Sequence, residues 1–298
     1  MNYAVTIGTF DGVHKGHQVI LKKTLDYAEK HQLKPKAYIM KYPALHHFSN
    51  DFVGLIYPSY KREEILQSMG FETEVFELPD VINITHGEYL DFLLNNGMKC
   101  IVCGEDFTFG KGKKGDINFL LAERHKKDFI VEIINDIKTS ETRISSTFIR
   151  RSIQNGRIEE ANKLLGRNWT LEGPVYEDRH VGFKLGFPTA NIDIRYKEKI
   201  IYPKFGVYLV YGGVKNSPYK YFGLMSVGMR PTFNLDIKEP KVEIYFLDYF
   251  GDLYNKVIEV EVLKFMREEM KFSSEKELIS QMIKDEDNAR KLLSQFQN

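Results

Sequence analysis

Apolar and polar positions follow two regimes along the 298-residue chain. Through residue 165, short apolar runs alternate with stretches of helical period. Residues 4–7 are largely apolar and read as a buried strand. Ile20, Leu21, Thr24, Leu25 and Ala28 then recur at helical spacing. Residues 36–41 read as a second strand, 59–69 as a helix closed by Gly70, and 74–78 as a third strand. Thr85-His86-Gly87-Glu88 is a capping box for a helix with Tyr89, Leu90, Leu93 and Leu94 on its buried face. Residues 100–103 and 129–134 read as further strands. This β-α-β rhythm predicts an α/β, Rossmann-like domain, a parallel sheet with helices on both faces.

A short helix over 157–165 ends at Gly166, where we place the domain boundary, giving 1–166 and 167–298. Beyond it helical periodicity vanishes until Ser274. Short β-rich runs occupy 170–175, 206–214, 219–227, 242–247 and 257–265, separated by Gly, Pro, Asn and Asp turn signals. Five or six short antiparallel strands predict a small barrel. The capping box Ser274-Glu275-Lys276-Glu277 opens a last helix that turns Leu278, Met282, Leu292 and Phe296 inward.

Composition changes this picture little. Hydrophobic residues make up 43% and charged residues 28%, ordinary for a globular protein. A net charge of +1 gives no basic field for nucleic acid. No run is apolar enough to span a membrane and no signal pattern opens the chain, so a cytoplasmic protein is expected. The two cysteines, Cys100 and Cys103, bracket Ile101 and Val102 in an apolar strand. That setting favours a buried small hydrophobe over a redox pair or a zinc site.

The candidate chemistry begins in the first loop, Gly8-Thr9-Phe10-Asp11-Gly12-Val13-His14-Lys15-Gly16-His17. It joins a strand to a helix N-terminus, where free N–H groups and the macrodipole favour anions. Its glycines permit a tight turn, and His14 and His17 can each donate to a phosphate oxygen. A second loop, residues 104–115, leaves another strand end and is glycine-rich, basic and punctuated by Phe107 and Phe109. It reads as a solvated turn, or as a loop that stacks an aromatic ring and neutralises phosphate. In Ile144-Ser145-Ser146-Thr147-Phe148-Ile149-Arg150 the hydroxyls suit a helix cap, and Arg150 offers a fixed positive fork. In residues 182–191, Thr189 and Asn191 offer hard oxygen donors suited to Mg²⁺, or equally a turn with local backbone bonds.

Taken as whole strings, these segments carry a resemblance. Gly-x-Phe-Asp-Gly-x-His, with the His-x-Gly-His ending, resembles the nucleotidyltransferases of that signature and, more narrowly, bacterial FAD synthetases. The strings Gly104-Glu105-Asp106-Phe107-Thr108-Phe109-Gly110 and Ile144 through Arg150 are similar to that family's next two motifs, in the same order. Gly186-Phe187-Pro188-Thr189-Ala190-Asn191 resembles the riboflavin kinase signature. The likeness continues through Tyr202-Pro203, Gly206-Val207-Tyr208, Ser226-Val227-Gly228, Val242-Glu243, Gly251-Asp252-Leu253-Tyr254 and Arg267-x-Glu269. The chain as a whole looks like the bacterial bifunctional riboflavin kinase/FAD synthetases.

The resemblance implies an FMN adenylyltransferase over 1–166 and a riboflavin kinase over 167–298. Riboflavin and ATP would give FMN and ADP; FMN and a second ATP would give FAD and pyrophosphate, with Mg²⁺. It implies catalytic roles for His14, His17, Arg150 and Glu243, the last as base. Nucleotide and phosphate contacts would come from Gly8, Phe10, Asp11, Gly12, Gly16, Gly104, Asp106, Phe107, Ser145, Ser146, Thr147, Gly182, Gly186 and Pro188. Flavin contacts would come from Phe109, Arg267 and Glu269, and metal contacts from Thr189 and Asn191. The chain departs from the family pattern at residues 42–48, where Tyr42-Pro43-Ala44-Leu45-His46-His47-Phe48 replaces a Phe-x-Pro-His-Pro segment. It departs again at 175–178, at Lys184 and at Tyr245, where a histidine is common. Two rival readings are a nucleotidyltransferase for another phosphorylated cofactor precursor, and a flavin- or ATP-binding regulator with one inactive domain.

Overall fold

The computed structural model describes residues 1–49, 51–135, 144–177, 187–229 and 240–293. The chain divides into two compact units, Met1–Phe148 and Ile149–Asn298.

The first unit is built on five parallel strands: β1 (Tyr3–Gly8), β2 (Lys34–Met40), β3 (Glu72–Phe76), β4 (Met98–Gly104) and β7 (Ile130–Ile134). A two-stranded hairpin of β5 (Thr108–Phe109) and β6 (Gly115–Asp116) stands apart from them. The sheet order is β3-β2-β1-β4-β7, with every pairing parallel. Alternation along β1 sends Ala4 to one face and Val5 to the other. Ala4 packs with Tyr27 and Ala28 of helix α1 (Lys15–Lys30) and with Cys100 and Val102. Val5 packs with Ile101, Cys103 and the Tyr89, Leu90 and Leu93 stripe of the helix His86–Asn95. The predicted capping box is present at that helix: Thr85 Oγ1 accepts from Glu88 N, and the Glu88 carboxylate accepts from Thr85 N.

The chain winds outward from β1 through β2 to β3, then returns to lay β4 on the other side of β1. That reversal creates a switch point at the C-terminal ends of β1 and β4, where ligands bind in open α/β sheets. The two candidate loops, 8–17 and 104–115, leave from these two ends.

The cysteines follow from the same alternation. Residues three apart on a strand face opposite sides, so Cys100 and Cys103 enter different cores as free buried thiols. Burial pushes both up to about 12, which makes them poor nucleophiles and poor metal ligands at neutral pH.

The second unit is a closed antiparallel barrel of β8 (Trp169–Tyr176), β9 (Ala190–Ile192), β10 (Gly206–Val214), β11 (Tyr221–Met229), β12 (Pro240–Phe246) and β13 (Val257–Glu268). Its order is β10-β11-β12-β9-β8-β13. Before it come the helices Ser146–Gln154 and Ile158–Leu165, the latter closed by Gly166 in the left-handed region. A last helix, Glu275–Leu293, lays Ala289, Leu292 and Leu293 on Val207, Leu209, Leu224 and Leu263. Phe296, Gly182, Lys184 and Gly186 lie outside the described residues.

Along β12 the side chains alternate. Val242, Ile244 and Phe246 are buried, while Lys241, Glu243 and Tyr245 share the opposite face. That outer face is turned not to solvent alone but to a cavity that the last helix helps to wall.

Candidate active sites

In the first loop the backbone is bent into an uncommon shape. Phe10 (φ 48°) and Val13 (φ 41°) both sit in the left-handed region, with Gly12 (φ 82°) between them. A buried β-branched residue there is strained, and such strain concentrates at working sites. Two anchors hold it. The Asp11 carboxylate, 2% exposed, accepts from Ile56 N (2.9 Å) and Tyr57 N (3.1 Å). Ser146 Oγ donates to the Asp11 carbonyl at 2.9 Å, which ties the third motif to the first. Asp11 is thus a loop anchor, its carboxylate held by backbone N–H groups.

Arg62, on the helix Ser59–Ser68, carries no signal in the sequence. It is fully buried and donates to the carbonyls of Thr9, Met40 (3.0 Å), Lys41 (2.6 Å) and Pro58. It therefore clips the ends of β1 and β2 together beneath the loop.

The loop delivers two histidine rings to one place. His14 caps α1, its Nδ1 accepting from His17 N at 3.3 Å. That bond leaves Nε2 as the protonated, donating nitrogen. The His17 ring stacks on His14 with centroids 3.7 Å apart and an interplanar angle of 16°. Phe10 meets His17 edge-on at 5.5 Å. His17 Nδ1 is buried with no hydrogen-bond partner among the described residues. A buried polar atom is ordinarily satisfied, so this nitrogen is a natural contact for an arriving ligand.

Burial, then the neighbouring His14 and Arg62, hold the His17 imidazole well below its usual range. The folded protein keeps this ring neutral at a pH where the unfolded chain, with an ordinary value of about 6.5, binds the proton. Stability from this group is complete above that value and is lost as pH falls from it toward the folded value. Melting curves between pH 5 and 7 should show this slope, and it should flatten in His17→Asn. An unchanged slope would exclude His17 as the source.

Gly16 is required by the same packing. A Cβ at this position would lie 3.1 Å from His14 Cε1 and Nδ1. Gly16→Ala is expected to displace the His14 ring by a few tenths of an ångström and to lower the adenylyl transfer that the resemblance implies about tenfold, given how steeply rates depend on alignment. A wild-type kcat/KM for that transfer in this variant would show that the ring has room to move.

Gly8 lies under the Phe10 ring, which a Cβ would approach to 3.2 Å. Ser145 Oγ accepts from Phe148 N, Thr147 is exposed, and Arg150 follows on the same helix within the second unit. Asp106 is exposed beside Gly104, and Phe107 stacks on Phe109 at 5.4 Å. Phe109 is 8% exposed and packs against Tyr89 and Phe119. Its ring lies in the core cluster, against which the half-buried Phe107 also packs. In the divergent segment, His46 stacks on Tyr42 at 3.9 Å and meets Phe52 edge-on.

The second site is a cavity of about 300 Å³ on the outer face of the barrel. Glu243 stands in its wall on β12. Asn191 on β9 and Ser226 on β11 are its direct cross-strand neighbours, so all three side chains share one face. Thr189 Oγ1 lies 3.4 Å from Glu243 Oε1, and Lys241 Nζ lies 2.7 Å from the same oxygen. Asn191 is 7% exposed, and its Oδ1 has no partner among the described residues. Pro188, just ahead of this cluster, is exposed.

The far wall comes from the last helix through Leu278, Met282 and Asp285. Arg267 fixes it there. Its Nε and Nη2 grip the buried Asp285 carboxylate at 2.6–3.0 Å, and its Nη1 donates to Glu268 O. Glu269 also lines the cavity, and its carboxylate occupies the space that a side chain at Gly228 would need. Tyr245 meets Phe187 edge-on at 5.3 Å and reaches Glu286 on the last helix.

A parallel sheet with a phosphate-type loop at its switch point, followed by a small barrel with a polar cavity, describes a two-part transferase. Residues 1–148 match the family model described as FAD synthetase, and residues 165–293 match that described as riboflavin kinase. A bifunctional riboflavin kinase/FMN adenylyltransferase of Listeria monocytogenes is 31% identical over 100% of this chain and 95% of its own length. One from Escherichia coli K12 is 30% identical over 96% of this chain and 91% of its own. The chain belongs to the bifunctional riboflavin kinase/FMN adenylyltransferase family. The crystal structure of a macrolide-efflux protein from Streptococcus pneumoniae, 29% identical, matches 97% of this chain and 94% of that one with a TM-score of 0.85. Efflux is that protein's name; here no helix among the described residues is long and apolar enough to cross a membrane.

Proposed function

We propose that this chain makes both flavin cofactors in turn: the barrel phosphorylates riboflavin to FMN, and the sheet domain adenylylates FMN to FAD. The observation that carries the reading is that both halves of the family are matched on one chain, each with its polar cluster assembled. We assign the first activity to residues 167–298 and the second to 1–166, in the cytoplasm, where ATP serves both.

In the kinase half, Glu243 accepts the proton of the riboflavin primary hydroxyl as its oxygen attacks the γ-phosphorus of ATP. ADP leaves. Tyr245, Phe187, Leu278 and Met282 supply apolar and aromatic surface for the flavin side of the cavity. The residues present fit Mg²⁺: the orphaned Asn191 Oδ1 and the nearby Thr189 hydroxyl are hard oxygen donors. Mg²⁺ bound there would neutralise phosphate charge on the nucleotide.

In the adenylyltransferase half no protein nucleophile is needed, because the FMN phosphate itself attacks the α-phosphorus of ATP. His14 and His17 donate to oxygens whose charge rises in that step, and the α1 N-terminus adds its N–H groups. Arg150 is assigned to the departing pyrophosphate. Gly104, Asp106 and Phe107 are assigned to the nucleotide and Phe107 also to ring stacking, while Ser145, Ser146 and Thr147 hold the helix start at which its phosphates arrive.

The test is a timed chromatographic assay of the purified protein with riboflavin, ATP and Mg²⁺, resolving riboflavin, FMN and FAD. FMN that rises first and then passes to FAD is the expected course. If supplied FMN is also left unchanged, the adenylyltransferase reading is wrong; if riboflavin is never phosphorylated, the kinase reading is wrong.

A further inference from the structure

The last helix, Glu275–Leu293, is held to the barrel in two ways. The buried hold is apolar and ionic: Ala289, Leu292 and Leu293 lie on the apolar cluster of the barrel, and Asp285 takes the Arg267 guanidinium. The second hold is more exposed. Arg290 Nη1 and Nη2 donate to the two oxygens of Asp248 at 3.0 and 2.8 Å, and its Nε donates to Glu286 Oε1 at 2.9 Å. Tyr245 Oη donates to the other oxygen, Glu286 Oε2, over a long 3.4 Å. Asp248 sits in the left-handed region (φ 58°) just after β12, so the fork also fixes the turn that follows the Tyr245 strand. The Tyr245 ring in turn lines the barrel cavity and meets Phe187 edge-on. One guanidinium therefore reaches, through one carboxylate, a ring in the cavity wall. The link uses a position at which the chain departs from the family pattern, where a histidine is common.

Stability does not account for this network. The Arg290 side chain is 41% exposed and that of Asp248 70%. Ion pairs so exposed add little to global stability, and the buried contacts already dock the helix. Geometry is what a guanidinium fork supplies. It keeps the Glu286 carboxylate in one orientation, with its second oxygen turned to the phenol.

We propose that Arg290 and Glu286 are positioning residues of the kinase site, which hold the Tyr245 ring ready for the flavin. The inference rests on the barrel being the riboflavin kinase. A ring fixed before the substrate arrives need not be ordered when it binds, and the difference appears as affinity. Tyr245 serves the flavin side of the cavity, so the effect belongs to KM for riboflavin rather than to the transfer step.

The experiment uses the full chain with Arg290→Ala, Tyr245→Phe and the double variant, assayed separately for riboflavin phosphorylation and for adenylylation of supplied FMN. Arg290→Ala should raise KM for riboflavin about fivefold, the scale of ordering one mobile side chain on binding, with kcat within twofold of wild type. Tyr245→Phe keeps the ring and removes only the hydroxyl, and it should raise KM by about the same factor. Both changes cut one link, so the double variant should stay near fivefold rather than reach the roughly 25-fold of independent losses. FAD formation from FMN should be unchanged throughout. A folding defect lowers the active fraction, and with it the apparent kcat, while leaving KM alone. That result for Arg290→Ala would assign the network to stability and overturn the proposal. A wild-type KM in either single variant also overturns it, as does a double variant whose losses multiply. If the wild-type protein forms no FMN, the kinase reading has failed and this inference falls with it. If it forms FMN and the variants do so at wild-type KM, this inference alone falls.

Discussion

His17→Ala is expected to lower FAD formation from FMN by about 10²–10³-fold, the loss typical of one donor aimed at developing charge. Riboflavin phosphorylation should stay within twofold of wild type. The physical ground is the stacked pair. His17 lies parallel to His14 at 3.7 Å, and its Nδ1 is buried without a partner among the described residues. Truncating it removes one donor and takes away the surface against which the His14 ring is held. The two effects act on the same phosphate, so the double variant with His14→Ala should cost less than the product of the single losses. Chromatography of FMN and FAD in separate assays checks this. Equal loss of both activities would mean that the two reactions share one site.

Glu243→Gln is the reciprocal experiment. Riboflavin phosphorylation should fall by about 10²–10⁴-fold, the range that a positioned base contributes. Adenylylation of supplied FMN should persist. Glutamine keeps the size of the side chain and its place between Asn191 and Ser226, but it cannot accept the proton and loses its charge partnership with Lys241. A variant that retains phosphorylation would show that the hydroxyl is activated by another group. A variant that loses adenylylation as well would show that the barrel substitution reaches the sheet domain.

How much of this was legible beforehand follows from local rules. The central strands β1 and β4 announce themselves as apolar runs, and the helix at 86–95 by its capping box, because burial and capping act on adjacent residues. Strand β9 escaped because three residues carry no measurable period. The β5–β6 hairpin escaped because two-residue strands within a glycine-rich loop look like turn. The third strand was expected at 74–78 but runs Glu72–Phe76, since Leu78 and Pro79 open a short helix.

The site residues divide in the same way. His14, His17, Thr189 and Asn191 stand out because their motifs are contiguous. Arg62 does not, since Tyr60-Lys61-Arg62-Glu63-Glu64 reads as a solvated helix face; only the fold reveals that it bridges the ends of two strands. Asp285 hides likewise among Lys284, Glu286 and Asp287, although it is 4% exposed. Phe109 carries two signals at once: its motif suggests flavin, and its ring packs against Tyr89 and Phe119. Gly182 and Gly186 fall outside the described residues.

The wall that Leu278, Met282 and Asp285 give to the barrel cavity has a consequence at the level of the gene. During synthesis the whole sheet domain leaves the ribosome before any codon for that wall has been read. A premature stop anywhere between the end of the barrel and codon 278 would spare every residue assigned to adenylyl transfer and leave the kinase cavity open on one side. Nonsense alleles should therefore separate the two activities in one direction only, yielding cells that still turn imported FMN into FAD but cannot start from riboflavin.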